Sequence, residues 1–192
     1  MIVRVDLGVG DPSGRPGLAR CVELIASRLP EVISAGEVFV VGLDGRSGAG
    51  KSTLAAAVVS MLAGRDPQVV GGVIEGDSFY GGGSTTAWDG RTAAESVDHV
   101  IDWRRQRQVL EALRSAGVAT WRSFDWSADS WDSDTAPFLP TEATCVATPV
   151  VVLEGAYSCR PELHDLLDLR VLLEIPADRR IAQMREREGE DL

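Results

Sequence analysis

Residues 45–52, Gly-Arg-Ser-Gly-Ala-Gly-Lys-Ser, fit the pattern G-x-x-x-x-G-K-[ST] at all four fixed positions. The apolar run Val38 to Leu43 precedes them, and the segment Thr53 to Leu62, rich in Ala and Leu, follows. A buried parallel strand, a glycine turn and a packed helix are the expected local structure, and that order leaves few folds open. In such a loop successive backbone N–H groups converge on phosphate oxygens, a lysine adds charge and the last hydroxyl can hold Mg²⁺. The helix that follows points the positive end of its dipole at the same anion. Gly45, Ser47, Gly48, Ala49, Gly50, Lys51, Ser52 and Thr53 are therefore the expected nucleotide-binding residues, with Mg²⁺ beside them; ATP is the nucleotide expected if the chain is a kinase, a choice the loop alone does not make. An ordinary strand-turn-helix corner would not explain the lysine inside the turn.

The rest of the chain reads as the frame around that loop. Ile2 to Leu7 is a short strand candidate, Gly8 to Gly17 a turn, and Leu18 to Ile33 has helical spacing of Leu18, Val22, Ile25 and Leu29. A second strand is expected at Gln68 to Ile74, a third at Pro149 to Gly155 and a fourth at Arg170 to Pro176. Ala93 to Ser115 reads as one helix, and Val118 to Trp121 as a short strand. The polar, Trp-rich stretch Ser123 to Pro140 reads as a long loop of the kind that serves as a functional flap. Strands separated by helical segments imply a parallel sheet with helices on both faces. Two divisions follow: an extension over 1–36 packed on the core, and a nucleotide-binding domain over 37–192 with a substrate flap at about 121–140.

Composition narrows the partners. The 192 residues carry a formal net charge of −10, which disfavours broad electrostatic affinity for nucleic acid or an anionic membrane. Cys21, Cys145 and Cys159 are widely spaced with no C-x-x-C pair, so reduced thiols are expected rather than zinc or disulfides. No signal pattern opens the chain and no run of 18 apolar residues occurs, which makes the cytoplasm the expected location. Assembly into a homo-oligomer is left open.

Other strand ends must say what the nucleotide is for. Asp77 stands just past the second strand in Gly76-Asp77-Ser78-Phe79-Tyr80, and Glu154 ends the third in Leu153-Glu154-Gly155. Phosphoryl transfer uses one carboxylate to orient or deprotonate the attacking hydroxyl and another to fix Mg²⁺. An Asp after a strand is also a common turn or cap residue. Arg180 and Arg187 lie in Asp178 to Glu188, a charged helical segment that could close over a phosphoryl group or merely lace itself with i,i+4 ion pairs.

With these residues in place, the chain resembles the uridine kinase-like family of P-loop nucleoside kinases over roughly 37–190. The resemblance rests on the phosphate loop, on Asp77-Ser78-Phe79-Tyr80, on Phe124-Asp125-Trp126 in place of a Tyr-Asp-Phe-like element, and on Glu154-Gly155. It implies an α/β, three-layer P-loop kinase fold with a short lid at about 178–190. It also implies that Asp77 is the base, that Ser52 and Glu154 hold Mg²⁺, and that Lys51, Arg180 and Arg187 neutralise charge on the transferring group. Tyr80, Arg122, Phe124, Asp125, Trp126 and Arg160 are the candidate substrate contacts. The family's element is typically followed by a histidine that helps to read a pyrimidine, whereas Ser127-Ala128-Asp129 supplies none. Three readings follow: a kinase acting on a hydroxyl of a nucleoside or nucleoside-like molecule, a phosphotransferase inactivating a nucleoside antibiotic or other secondary metabolite, and a non-catalytic ATP-binding regulator. Tryptophans 121, 126 and 131 could stack on the acceptor or simply pack the flap.

Overall fold

A computed structural model describes residues 2–6, 15–67, 69, 71–128 and 137–188. The Gly/Pro turn before Arg15, Trp131 within the flap and the last residues of the lid fall outside the described residues. The chain divides into two compact units, residues 1–74 with 148–192, and residues 75–147.

The first unit is built on a sheet in the order β1, β7, β2, β6, β3. Its strands are β1 (Ile2–Asp6), β2 (Phe39–Asp44), β3 (Gly71–Glu75), β6 (Val150–Gly155) and β7 (Leu169–Glu174). The registers of β1 with β7, β7 with β2 and β2 with β6 are all parallel. Alternation along β2 decides what covers each face. Phe39, Val41 and Leu43 join a core made with α1 (Arg15–Ala26), α2 (Leu29–Ala35) and α3 (Lys51–Arg65), through Val22, Ile25, Leu54, Val58 and Leu62. On the other face a Cβ at Gly42 would stand 2.9 Å from Leu167 Cδ1 and 3.0 Å from Cys159 Sγ, so the turn after β6 and Leu167, the residue that ends the 3₁₀ segment Pro161–Leu166, press directly on the backbone there. β2 and β6 are buried along nearly all of their length, as a central parallel strand requires.

The expected helix over 18–33 is two helices. α1 ends at Ala26, where Ser27 and Arg28 turn the chain, and Pro30 opens α2 within its first turn, where a missing N–H costs nothing. The first strand forms the sheet edge beside β7.

The second unit carries α4 (Thr85–Asp89), α5 (Ala93–Val100), α6 (Trp103–Ala116) and an antiparallel hairpin of β4 (Val118–Phe124) and β5 (Phe138–Val146). The single helix expected over 93–115 breaks at Ile101, which is extended and bridges Tyr80, and restarts because the Asp102 side chain accepts the Arg105 N–H. Likewise the expected loop over 123–140 is shorter than its sequence suggests. β4 runs on to Phe124 across a bulge, and β5 begins at Phe138 despite Pro140, which a strand with a free edge tolerates.

Candidate active site

In the first unit β2 delivers the phosphate loop to the start of α3. Gly48 and Gly50 have φ of +76° and +87°, values that an L side chain resists, and they turn the loop so that α3 begins at Lys51. No side chain caps α3, and a Cβ at Gly50 would meet nothing within 4 Å, so the amino end of a fifteen-residue helix stands open. Uncapped N–H groups beside a positive dipole end form a fitting cradle for an anion. Lys51 Nζ lies across the loop and donates to Arg46 O at 3.3 Å.

Two strand ends bring the oxygen ligands together. Ser52 Oγ, in the first turn of α3, donates to Glu154 Oε1 at 2.9 Å, and Glu154 is only 6% exposed at the carboxyl end of β6. A hydroxyl and a carboxylate oxygen side by side at the head of a phosphate loop are the hard donors Mg²⁺ prefers, so the residues present fit the ion. Glu154 reaches this place because β6 pairs in register with β2, Glu154 opposite Leu43 and Gly155 opposite Asp44.

The lid segment is the helix α7 (Ala177–Glu188), and it closes on the same loop. Arg180 Nη1 donates to Ser47 O at 3.3 Å, and a Cβ at Gly48 would lie 2.5 Å from Met184 Cγ and 2.8 Å from Arg180 O. Gly48 is thus required twice, by its φ and by the helix resting on it. The side chain of Arg187 lies outside the described residues. Arg160, in the segment after β6, grips Glu162 through two bonds, Nε to Oε2 at 2.9 Å and Nη2 to Oε1 at 3.0 Å.

One residue that the motif reading passed over organises this region. Asp44, the last residue of β2, accepts the N–H groups of Gly45 (2.6 Å), Tyr157 (3.0 Å) and Cys159 (2.9 Å). Its carboxylate ties the start of the phosphate loop to the turn that follows Glu154. The one hint in the sequence is an acid ending a wholly apolar strand. Burial, with the Asp44 charge adding to it, pushes the Cys159 thiol up to about 12.

The second unit holds the other expected residues. Asp77 lies in a 3₁₀ turn (Gly76–Phe79) directly after β3, where Tyr80 N donates to Asp77 O at 3.3 Å. Tyr80 is the hub of an aromatic cluster: Phe124 meets it edge-on with ring centres 4.9 Å apart, Trp126 lies at 4.8 Å and Trp88 at 6.2 Å. Burial raises the Tyr80 phenol above its usual range, against the opposing charge of Arg91. Trp126 remains 59% exposed. Asp125 folds back on its own turn, accepting from Ser127 N at 3.0 Å and Ser127 Oγ at 2.6 Å. Arg122 donates to Leu139 O (3.0 Å) and Phe138 O (3.3 Å) and lines a cleft of about 750 Å³ with Arg105, Trp121 and Phe138, to which Tyr80, Phe124 and Trp126 do not contribute. The structure therefore groups Tyr80, Phe124 and Trp126, while the Arg122 guanidinium is spent on the carbonyls of β5. Trp88 and Arg91, stacked 4.3 Å apart, join the group although no motif announced them.

A phosphate loop on a central parallel strand, with a serine and a buried glutamate meeting at its head and an arginine helix across it, defines the P-loop kinase fold. The chain belongs to the phosphoribulokinase/uridine kinase family, whose model matches residues 40–191. It is 28% identical to the uridine kinase of Deinococcus deserti over 143 residues, which are 73% of this chain and 63% of that protein. The uridine kinase of Limosilactobacillus reuteri is 28% identical over 152 residues, 78% of this chain and 64% of that one. The chain thus spans just under two thirds of the length of these curated relatives. Among solved structures, a Bacillus stearothermophilus protein named as a possible uridine kinase superposes with a TM-score of 0.55 at 20% identity, covering 90% of both chains. A Silicibacter sp. TM1040 protein named as a candidate fructose transport system kinase gives 0.58 at 21% identity, over 88% of this chain and 80% of that one. These likenesses carry the fold.

Proposed function

We propose that the protein is an ATP- and Mg²⁺-dependent kinase that transfers the γ-phosphoryl group to a hydroxyl of a nucleoside or nucleoside-like small molecule. The observation that carries the reading is the 2.9 Å bond between Ser52 and Glu154 at the open amino end of α3, because it joins a metal-holding pair to a phosphate cradle. Mg²⁺ would supply charge neutralisation between the phosphates. The loop amides and Lys51 hold the β- and γ-phosphates, Ser52 and Glu154 the ion, Asp77 the acceptor hydroxyl, and Arg180 with Arg187 the charge that develops on the moving group. Tyr80 and Trp126, packed on the buried ring of Phe124, offer flat apolar faces for a planar acceptor, with Asp125 and Arg160 as further polar contacts. The names of the family relatives favour a nucleoside, and the absence of histidine after Phe124-Asp125-Trp126 favours an acceptor other than a plain pyrimidine nucleoside.

The test is a panel of nucleosides, nucleoside antibiotics and sugars scored by ATP-dependent mass gain of 80 Da, the mass a phosphoryl group adds. Transfer to one or more members that is lost in Asp77→Asn while ATP still binds is the expected result. Normal ATP binding with neither transfer to any acceptor nor hydrolysis would instead make the protein a regulator.

A further inference from the structure

We infer that Asp44 is a positioning residue: it locks the phosphate loop to the turn behind Glu154 by holding Tyr157 in a left-handed conformation, and so sets how strongly Mg²⁺ and nucleotide reinforce each other. This rests on the function proposed above.

Asp44 shares the β2 face of Val40 and Gly42, the face covered by the turn after β6. A carboxylate offers about four acceptor positions, and Asp44 fills three of them with backbone donors from two segments more than 100 residues apart. Charge-assisted bonds to backbone N–H groups are among the stronger ones a protein makes. Tyr157 has φ of +65°, the one positive value at a non-glycine among the described residues. For an aromatic residue that conformation costs on the order of 1–2 kcal/mol, and it persists only where the surroundings enforce it. Tyr157 is 37% exposed, and its backbone is held on both sides, its N–H by Asp44 at 3.0 Å and its carbonyl by the Arg160 N–H at 3.2 Å; of the two, Asp44 supplies the charged partner. Behind it, the wholly buried Ser158 closes the turn by donating to Gly155 O at 2.9 Å. The turn begins at Gly155, next to the carboxylate that meets Ser52. A shift of this turn would therefore move Glu154 against the loop that holds the phosphates.

The experiment compares wild type, Asp44→Asn, Asp44→Ala, Tyr157→Gly and the Asp44→Ala/Tyr157→Gly double variant. Two readouts are taken: hydrogen exchange of the Tyr157 and Cys159 amides, and affinity for a fluorescent ATP analogue with and without Mg²⁺. In Asp44→Ala the two amides should exchange at least tenfold faster while those of β2 and β6 stay protected. The gain in nucleotide affinity that Mg²⁺ confers should fall about 10- to 100-fold, as is usual when a group that orients a metal ligand is removed. Asp44→Asn, which keeps one acceptor oxygen, should fall between. Glycine adopts φ near +65° without strain, so Tyr157→Gly should restore most of the Mg²⁺ gain to Asp44→Ala and leave it within twofold in the wild-type background. A full Mg²⁺ gain in Asp44→Ala, or a loss that Tyr157→Gly does not repair, overturns the proposal. If Asp44→Ala does not fold, Asp44→Asn decides on the same two readouts. A wild type that binds the analogue with no Mg²⁺ dependence overturns the function proposed above, and the coupling with it, whereas the exchange data then still report on the clamp alone.

Discussion

The two units differ in what their buried polar groups meet, although each holds some without a partner among the described residues, Arg170 Nε in the first being one. In the first, buried or half-buried polar atoms meet one another: Ser52 with Glu154, Asp44 with three backbone donors, Asp168 Oδ2 with Val40 N at 2.7 Å. In the second, Gln106 is 0% exposed with neither end of its amide partnered, and the buried indole nitrogen of Trp121 is likewise without an acceptor among the described residues. A frame whose polar contacts are already made is set for one task before its ligand arrives, because little must reorganise when charge moves. On the function proposed above, the phosphate loop and its partners in the first unit would serve the donor, and the aromatic cluster of the second the acceptor.

The sharpest way to break this contrast is to remove the donor machinery. Lys51→Ala and Glu154→Gln should each lower phosphoryl transfer by about 100-fold or more with every acceptor alike, since each takes away a charge that counts most in the transition state. Trp126→Ala should instead change the ranking of acceptors and leave ATP affinity within a few fold. Initial rates against several acceptors, measured with the ATP affinity, check both. Loss of ATP affinity in Trp126→Ala would merge roles that the contrast keeps apart.

Next in size is the lid contact. Gly48→Ala meets a left-handed φ and Met184 Cγ 2.5 Å away, whereas Gly50→Ala meets only the φ. Gly50→Ala should cost about 1 kcal/mol of stability. Gly48→Ala should cost about 2–3 kcal/mol, combining that strain with overpacking, part of it returned by Met184→Ala. Denaturant titration separates the two, and equal losses would mean that α7 does not rest on the loop in solution.

Much of the first unit was legible because its signals are contiguous. The octapeptide, the apolar runs that became β2, β6 and β7, and Glu154 at a strand end all declare themselves within a few residues. Asp44 does not, because the donors that give it meaning lie 113 and 115 residues further along. The second unit was harder to read for local reasons. β5 has one partner and mostly exposed side chains, so Phe138-Leu139-Pro140-Thr141-Glu142 carries a polar pattern and a proline that mimic a loop. The break at Ile101 was within reach, since Asp102 before Trp103 is a capping residue at a helix start, but the charged run from Arg104 onward masks it. Tyr80, Phe124 and Trp126 were named from a motif, and Trp88 and Arg91, which no motif contains, took their place beside them only through packing.

A finer test asks whether the unmet polar atoms of the second unit weaken it. Burying an amide without partners costs about 1–3 kcal/mol, and an apolar side chain of similar volume avoids that cost. Gln106→Leu keeps the shape on the buried face of α6 beside Val109, Leu110 and Leu113, so it should stabilise the protein by about 1 kcal/mol. Thermal melting reads the change, and a lowered midpoint would show that Gln106 is satisfied in solution.

The smallest effect lies in the thiols of the first unit. Burial pushes Cys21 up to about 11 and Cys159 to about 12, above the ordinary value near 9. An acid whose folded pKa is raised contributes stability that is whole below its unfolded pKa and is lost as pH climbs through the folded one. Between pH 6 and 8 these thiols therefore leave stability unchanged, and from about pH 9 to 12 they erode it. At pH 8 a thiol so raised by burial stays protonated, so iodoacetamide should alkylate Cys21 in the native protein far more slowly than in the denatured chain. Cys21→Ala gives a control at the same fold position: its melting temperature should fall less steeply above pH 9 than that of the wild type. Parallel curves would show that the layer under α1 admits water, and that the first unit is less closed than its hydrogen bonds imply.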